Sequence, residues 1–111
     1  MTSVRPWKML SVVVSSFVAS QTWAQDAASS AAGLALARQI CSECHAIERT
    51  QARSPNPAAP RFETIASVPG MTATALSAAL QTPHQTMPNV MLNANELRDI
   101  VAYILSLKQA N

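Results

Sequence analysis

The chain changes character after residue 24, and that change limits what it can fold into. Three of its five aromatic residues, Trp7, Phe17 and Trp23, fall within residues 1–24. Removing 24 of the 111 residues leaves 87, which hold only Phe62 and Tyr103 as aromatics beside eighteen alanines. Each alanine brings little area to a core. A single core in a chain of this size is marginal even with a full set of large side chains, and such chains lean on disulfides, a metal or a bound group. Something other than side chains is expected to fill the centre.

The first 24 residues have their own logic. Arg5 and Lys8 precede an uncharged run over residues 9–20, and Thr22-Trp23-Ala24 then forms a small-x-small pattern just before Gln25-Asp26. This is the layout of a secretory signal peptide. Its apolar core is about eleven residues, short of the roughly twenty needed to span a bilayer, so no stable membrane span is expected after cleavage. The expectation is a signal peptide over residues 1–24, cut after Ala24, and one domain over residues 25–111 working in the periplasm. A retained anchor or a shifted cleavage site is the alternative. The formal charge of +2 belongs to Arg5 and Lys8, because the rest balances Arg38, Arg49, Arg53, Arg61, Arg98 and Lys108 against Asp26, Glu43, Glu48, Glu63, Glu96 and Asp99. A neutral domain lacks the basic surface that nucleic-acid binding through counterion release requires.

Along the domain, residues 25–30 are small and polar and predict a frayed terminus. A helix fits residues 30–44, with Leu34, Ala37, Ile40 and Cys41 recurring every three or four positions. Gly33 inside it costs roughly 1 kcal/mol against alanine and points to a close helix crossing. Three prolines in residues 53–60 exclude regular structure there. Residues 62–67 form at most a short helix, closed by Pro69-Gly70. Thr72 caps a helix over residues 73–81, with Met71 and Leu76 as a hydrophobic staple, and Pro83 stops it. The last helix opens at Asn93 with Glu96 at capping-box spacing and Leu92 and Leu97 as its staple. Its apolar stripe is Leu97, Ile100, Val101, Ile104 and Leu105. No alternating strand pattern and no repeat occurs, so the class is all-α, three to four short helices joined by long loops.

Cys41-Ser42-Glu43-Cys44-His45 carries the chemistry. Two thiols three residues apart lie on one side of a helical turn, spaced to add across the two vinyl groups of a porphyrin, and the next residue sets an imidazole beneath the iron. C-x-x-C-H is the attachment motif of c-type haem. Three other readings compete with it. A C-x-x-C disulfide closes too small a loop to staple 87 residues, and a thioredoxin-like pair needs a βαβ pattern that is absent. Cys41, Cys44, His45 and His84 are acceptable zinc ligands by type, but their spacing matches no common zinc module. A covalent haem also accounts for the thin core.

At these residues the chain resembles the small class I c-type cytochromes, over nearly all of residues 25–111. Gly33 stands eight residues before Cys41, Pro60-Arg61-Phe62 resembles the Pro-x-aliphatic segment beside the proximal histidine, Met87-Pro88 matches the distal Met-Pro, and residues 99–104 look like the final helix. The resemblance implies a cytochrome c-like fold wrapped around one covalent haem c, with Gly33 close to Tyr103. It implies that the Pro60 carbonyl, with Pro57 as a rival, accepts a hydrogen bond from the free ring nitrogen of His45 and strengthens it as a donor. For the sixth ligand Met87 is favoured, since Pro88 holds it extended. Met91 is the next choice, though its place before Asn93 suggests packing under the last helix. Met71 is engaged in a staple, and His84 reads as a loop histidine, exposed or near a haem propionate.

Iron held by His45 and Met87 has no open position, which favours one-electron transfer over catalysis; methionine raises the potential relative to two nitrogen ligands. No second catalytic constellation appears. The expected function is a diffusible carrier between redox partner proteins, a dehydrogenase or membrane complex on one side and a terminal oxidase or reductase on the other. A haem-bearing subunit docked permanently to an oxidoreductase is the alternative, and a sensor or peroxidase, requiring Met87 to dissociate, a remote one. With one lysine left, the docking face is expected to be apolar and made of small residues rather than charge-steered.

Overall fold

The computed structural model describes residues 21–84 and 86–109. Four helices follow in order: α1 (Gln21–Ile40), α2 (Phe62–Ala66), α3 (Ala73–Gln81) and α4 (Ala94–Ser106). Among the described residues there is no strand beyond an isolated bridge between His84 and Met87, so the all-α class holds. Residues 1–20, and with them most of the expected export segment, lie outside the described residues. No helix among those described is long and apolar enough to cross a membrane.

The first helix departs from expectation at both ends. Residues 25–30, expected to fray, belong to α1, because Ala27, Ala28, Ala31 and Ala32 are the best helix formers and no proline or glycine interrupts them before Gly33. At the other end α1 stops at Ile40, four residues short of Cys44. The Cys41 and Ser42 amides both donate to the Ala37 carbonyl, at 2.9 and 3.0 Å. The Ser42 hydroxyl takes the Arg38 carbonyl at 2.7 Å, the acceptor its own amide would have used in a continuing helix. Such local side-chain bonds compete with the helical ladder, and residues 41–44 become a separate turn.

The later helices keep their expected limits. Thr72 Oγ1 accepts the Ala75 amide at 3.1 Å to cap α3. Asn93 Oδ1 accepts the Asn95 and Glu96 amides at 2.9 and 3.0 Å, and Glu96 Oε2 accepts the Asn93 amide at 2.9 Å, a reciprocal box that starts α4. Gly70, at φ 76°, makes the turn between α2 and α3 in the left-handed region that glycine tolerates.

α4 is the spine of the domain. Ile100, Val101, Tyr103 and Ile104 are buried on it, joined by Ala37 of α1, Phe62 and Ala66 of α2 and Leu76 of α3. Leu97 and Leu105, expected in the stripe, lie half-buried at its edges. α1 crosses α4 at Gly33, where a Cβ would overlap the Asp99 carbonyl and stand 2.6 Å from Tyr103 Cβ. The expected proximity of Gly33 and Tyr103 is therefore met, with the Gly33 backbone seated against the Asp99 backbone and the Tyr103 Cβ. Beyond the motif, the buried Tyr103 hydroxyl donates to the Ile47 carbonyl at 2.6 Å. The Arg49 guanidinium donates to the Ser106 and Lys108 carbonyls at 3.0 and 3.2 Å, closing the free end of α4.

Two outcomes follow from these contacts. Gly33→Ala forces the helices apart, and urea unfolding of the haem-loaded protein should show a loss of about 1–3 kcal/mol, as for other overpacked sites. Tyr103→Phe leaves the Ile47 carbonyl unpaired and should cost about 1–3 kcal/mol at pH 8. Burial raises the Tyr103 phenol above its ordinary value of 10.0. A raised folded value means stability that is complete below pH 10.0 and lost as pH climbs through the folded value. Unfolding curves from pH 8 upward should therefore fall more steeply for the native protein than for Tyr103→Phe.

Candidate functional site

The turn after α1 hands the chain from a rigid helix to a cleft. The Cys44 amide donates to the Cys41 carbonyl at 3.2 Å and the His45 amide to the same oxygen at 2.9 Å, so both cysteines and the histidine ride on one tight turn. The next stretch is stitched back onto it. Ser54 Oγ accepts the Ala46 amide at 2.9 Å, the Asn56 amide donates to the Cys44 carbonyl at 3.0 Å, and the Phe62 amide donates to the Ala46 carbonyl at 3.0 Å. His45 is thus bracketed by bonds to both of its neighbours.

Its ring is held as firmly as its backbone. His45 Nδ1 lies 2.6 Å from the Pro60 carbonyl oxygen. A carbonyl only accepts, so Nδ1 carries the proton and Nε2 keeps the lone pair. The carbonyl involved is that of Pro60 and not of Pro57. Phe62 adds an aromatic contact that the sequence did not suggest, its ring tilted 48° to the imidazole with centroids 5.4 Å apart.

Cys41, Cys44, His45, Pro60 and Met87 all line one cleft of about 330 Å³. Leu76 and Leu80 of α3 form part of its wall, Ile104 of α4 lies behind, and the lining is mostly apolar. That volume and character suit a flat organic cofactor. Burial pushes the Cys41 thiol up to about 11. Among the described residues no three of His, Cys, Asp and Glu gather where they could hold an ion. The four-ligand zinc alternative is not assembled. The residues fit a group bound through neutral thioethers and a nitrogen donor instead.

The other candidates separate clearly. Met71 is half-buried against the core and does not line the cleft. Met91, expected under α4, is 86% exposed. Leu92 takes the inward position just before the Asn93 cap and packs against the core, and its neighbour is turned outward. His84 is exposed and borders the same cleft as Met87, whose amide donates to the His84 carbonyl at 3.3 Å. Ser54 and Asn56 escaped the sequence reading, because three prolines marked that stretch only as irregular. The short polar residues between those prolines were the available signal.

The geometry agrees with comparisons to known proteins. A family model described as cytochrome c matches residues 30–108. Cytochrome c-552 of Bradyrhizobium diazoefficiens is 35% identical over 91 residues, covering 82% of this chain and 86% of the relative. No solved structure gives a significant match. The chain belongs to the cytochrome c family: it carries haem c covalently, passes electrons to and from redox partners, and is not itself a catalytic enzyme.

Proposed function

We propose that this protein is a periplasmic one-electron carrier, with haem c joined to Cys41 and Cys44 and its iron held between His45 and Met87. The observation that carries the reading is the 2.6 Å bond from His45 Nδ1 to the Pro60 carbonyl. It leaves Nε2 as the ring's one available donor and, by drawing on the Nδ1 proton, makes that donor more basic. Met87 supports the reading by lining the same cleft as the motif, on a loop whose Pro88 keeps its backbone extended.

The bound haem supplies reversible one-electron chemistry. The chain would supply the rest: His45 and Met87 would hold the iron and leave it no place for substrate, and the apolar walls of the cleft would keep water away. A thioether from Met87 beside one nitrogen donor would favour the reduced state compared with two nitrogen donors. Export fits the pattern of Arg5, Lys8 and the uncharged run over residues 9–20, with cleavage after Ala24.

The decisive experiment is a denaturing haem stain beside an absorption spectrum of purified protein. Cys41→Ala with Cys44→Ala should abolish covalent haem, and normally stained protein would sink the attachment assignment. Met87→Ala should remove the weak red absorption band of iron–thioether bonding, whereas Met91→Ala, at an exposed position, should leave it intact. The opposite pattern would transfer the ligand role to Met91. Met87→His should lower the reduction potential, since it replaces sulfur by nitrogen.

A further inference from the structure

Between His45 and α2 the chain runs through Ser54-Pro55-Asn56-Pro57-Ala58-Ala59-Pro60, with no helix or strand to hold it. Prolines donate no backbone hydrogen bond, so a stretch this rich in them must be shaped by the few groups left. Asn56 provides most of them. Its amide donates to the Cys44 carbonyl at 3.0 Å, its own carbonyl accepts the Ala59 amide at 3.0 Å, and its side-chain Oδ1 accepts the Ala58 amide at 2.9 Å. A side-chain oxygen bonded two residues ahead is an Asx turn, and Pro57 pre-sets the backbone angle at the next position. The reversal over residues 56–59 delivers Pro60, whose carbonyl meets His45 Nδ1. Downstream, the Phe62 amide fixes the chain to the Ala46 carbonyl at 3.0 Å. The Pro60 carbonyl is therefore suspended between two anchors, one main-chain bond at Phe62 and one turn that depends on a side chain.

We propose that Asn56 is a positioning residue for electron transfer. By closing the turn over residues 56–59, its side chain sets where the Pro60 carbonyl stands, how strongly the His45 ring is polarised, and hence the reduction potential of the bound haem. This rests on the reading of His45 as an axial ligand. Asn56 borders the cleft, but its Oδ1 is engaged by the Ala58 amide, so it acts through Pro60.

The test uses the haem-loaded protein and two readouts: hydrogen exchange of the His45 Nδ1 proton by NMR, and the reduction potential by titration. Asn56→Ala should speed exchange of that proton roughly two- to tenfold, the range expected for weakening one neutral hydrogen bond. It should also raise the potential, because a less basic imidazole stabilises oxidised iron less. Asn56→Asp keeps the Oδ1 acceptor and should restore slow exchange; its added charge shifts the potential by itself, so exchange carries the rescue. Should the alanine variant not accumulate with haem, Asn56→Ser closes the same turn more weakly and should fall between native and fully perturbed values. An Asn56→Ala protein that unfolds more easily yet keeps native exchange and native potential would make the residue merely structural and overturn the proposal. If the native protein itself shows no iron-shifted His45 ring proton, the ligand assignment fails, and the proposal falls with it for a distinguishable reason.

Discussion

The contact between α1 and α4 at Gly33 is the joint from which the rest of the domain hangs. With no side chain on Gly33, the α1 backbone comes directly against the Asp99 carbonyl and the Tyr103 Cβ of α4. That approach fixes the direction in which the end of α1 launches residues 41–45. It also sets Ile104, one turn along α4 from Ile100, behind the cleft those residues border. The cost of a glycine in mid-helix, roughly 1 kcal/mol, is the local expense of placing the motif.

Around that joint the protein is organised to hold a group it does not itself provide. The buried side chains form a band along one face of α4, small for a domain of this length. That band itself borders a mostly apolar cleft, which Phe62, Leu76 and Ile104 help to line. A haem filling that cleft would complete the core, and cofactor binding and folding would then be coupled as in other small domains with a bound centre. The polar groups near it are used sparingly. One imidazole proton meets one carbonyl, and the surrounding loop is pinned by Ser54, Asn56 and the Phe62 amide. The second tie, from Tyr103 and Arg49 to the loop after the motif and the end of α4, keeps the proximal segment from peeling away.

Much of this was legible in residue order, and the exceptions have physical causes. The caps at Thr72 and Asn93 are contacts within three residues, so their spacing alone specifies them. The Gly33 crossing was also readable, because a mid-helix glycine in an alanine-rich segment needs a reason. The end of α1 was not. An apolar period runs on through Cys41, but the Ser42 hydroxyl competes for the Arg38 carbonyl, and periodicity is blind to such a bond. Met91 misled for a related reason. Two adjacent large residues precede the α4 cap, and only packing decides that Leu92 turns inward while Met91 faces solvent.

Residue order by itself determined the helical class, a count of three to four helices, the caps of α3 and α4, the C-x-x-C-H spacing and the need for something besides side chains at the centre. These depend on interactions between residues a few positions apart, or on composition, and neither requires knowing the path of the chain. The tertiary structure decided which carbonyl among the prolines faces His45, which ring packs beside it, and which of Met71, Met87 and Met91 shares a cleft with the motif. Those choices join residues 15 to more than 40 positions apart. They are settled by how α4 and the proline-rich loop close over α1, through contacts whose partners no local spacing announces.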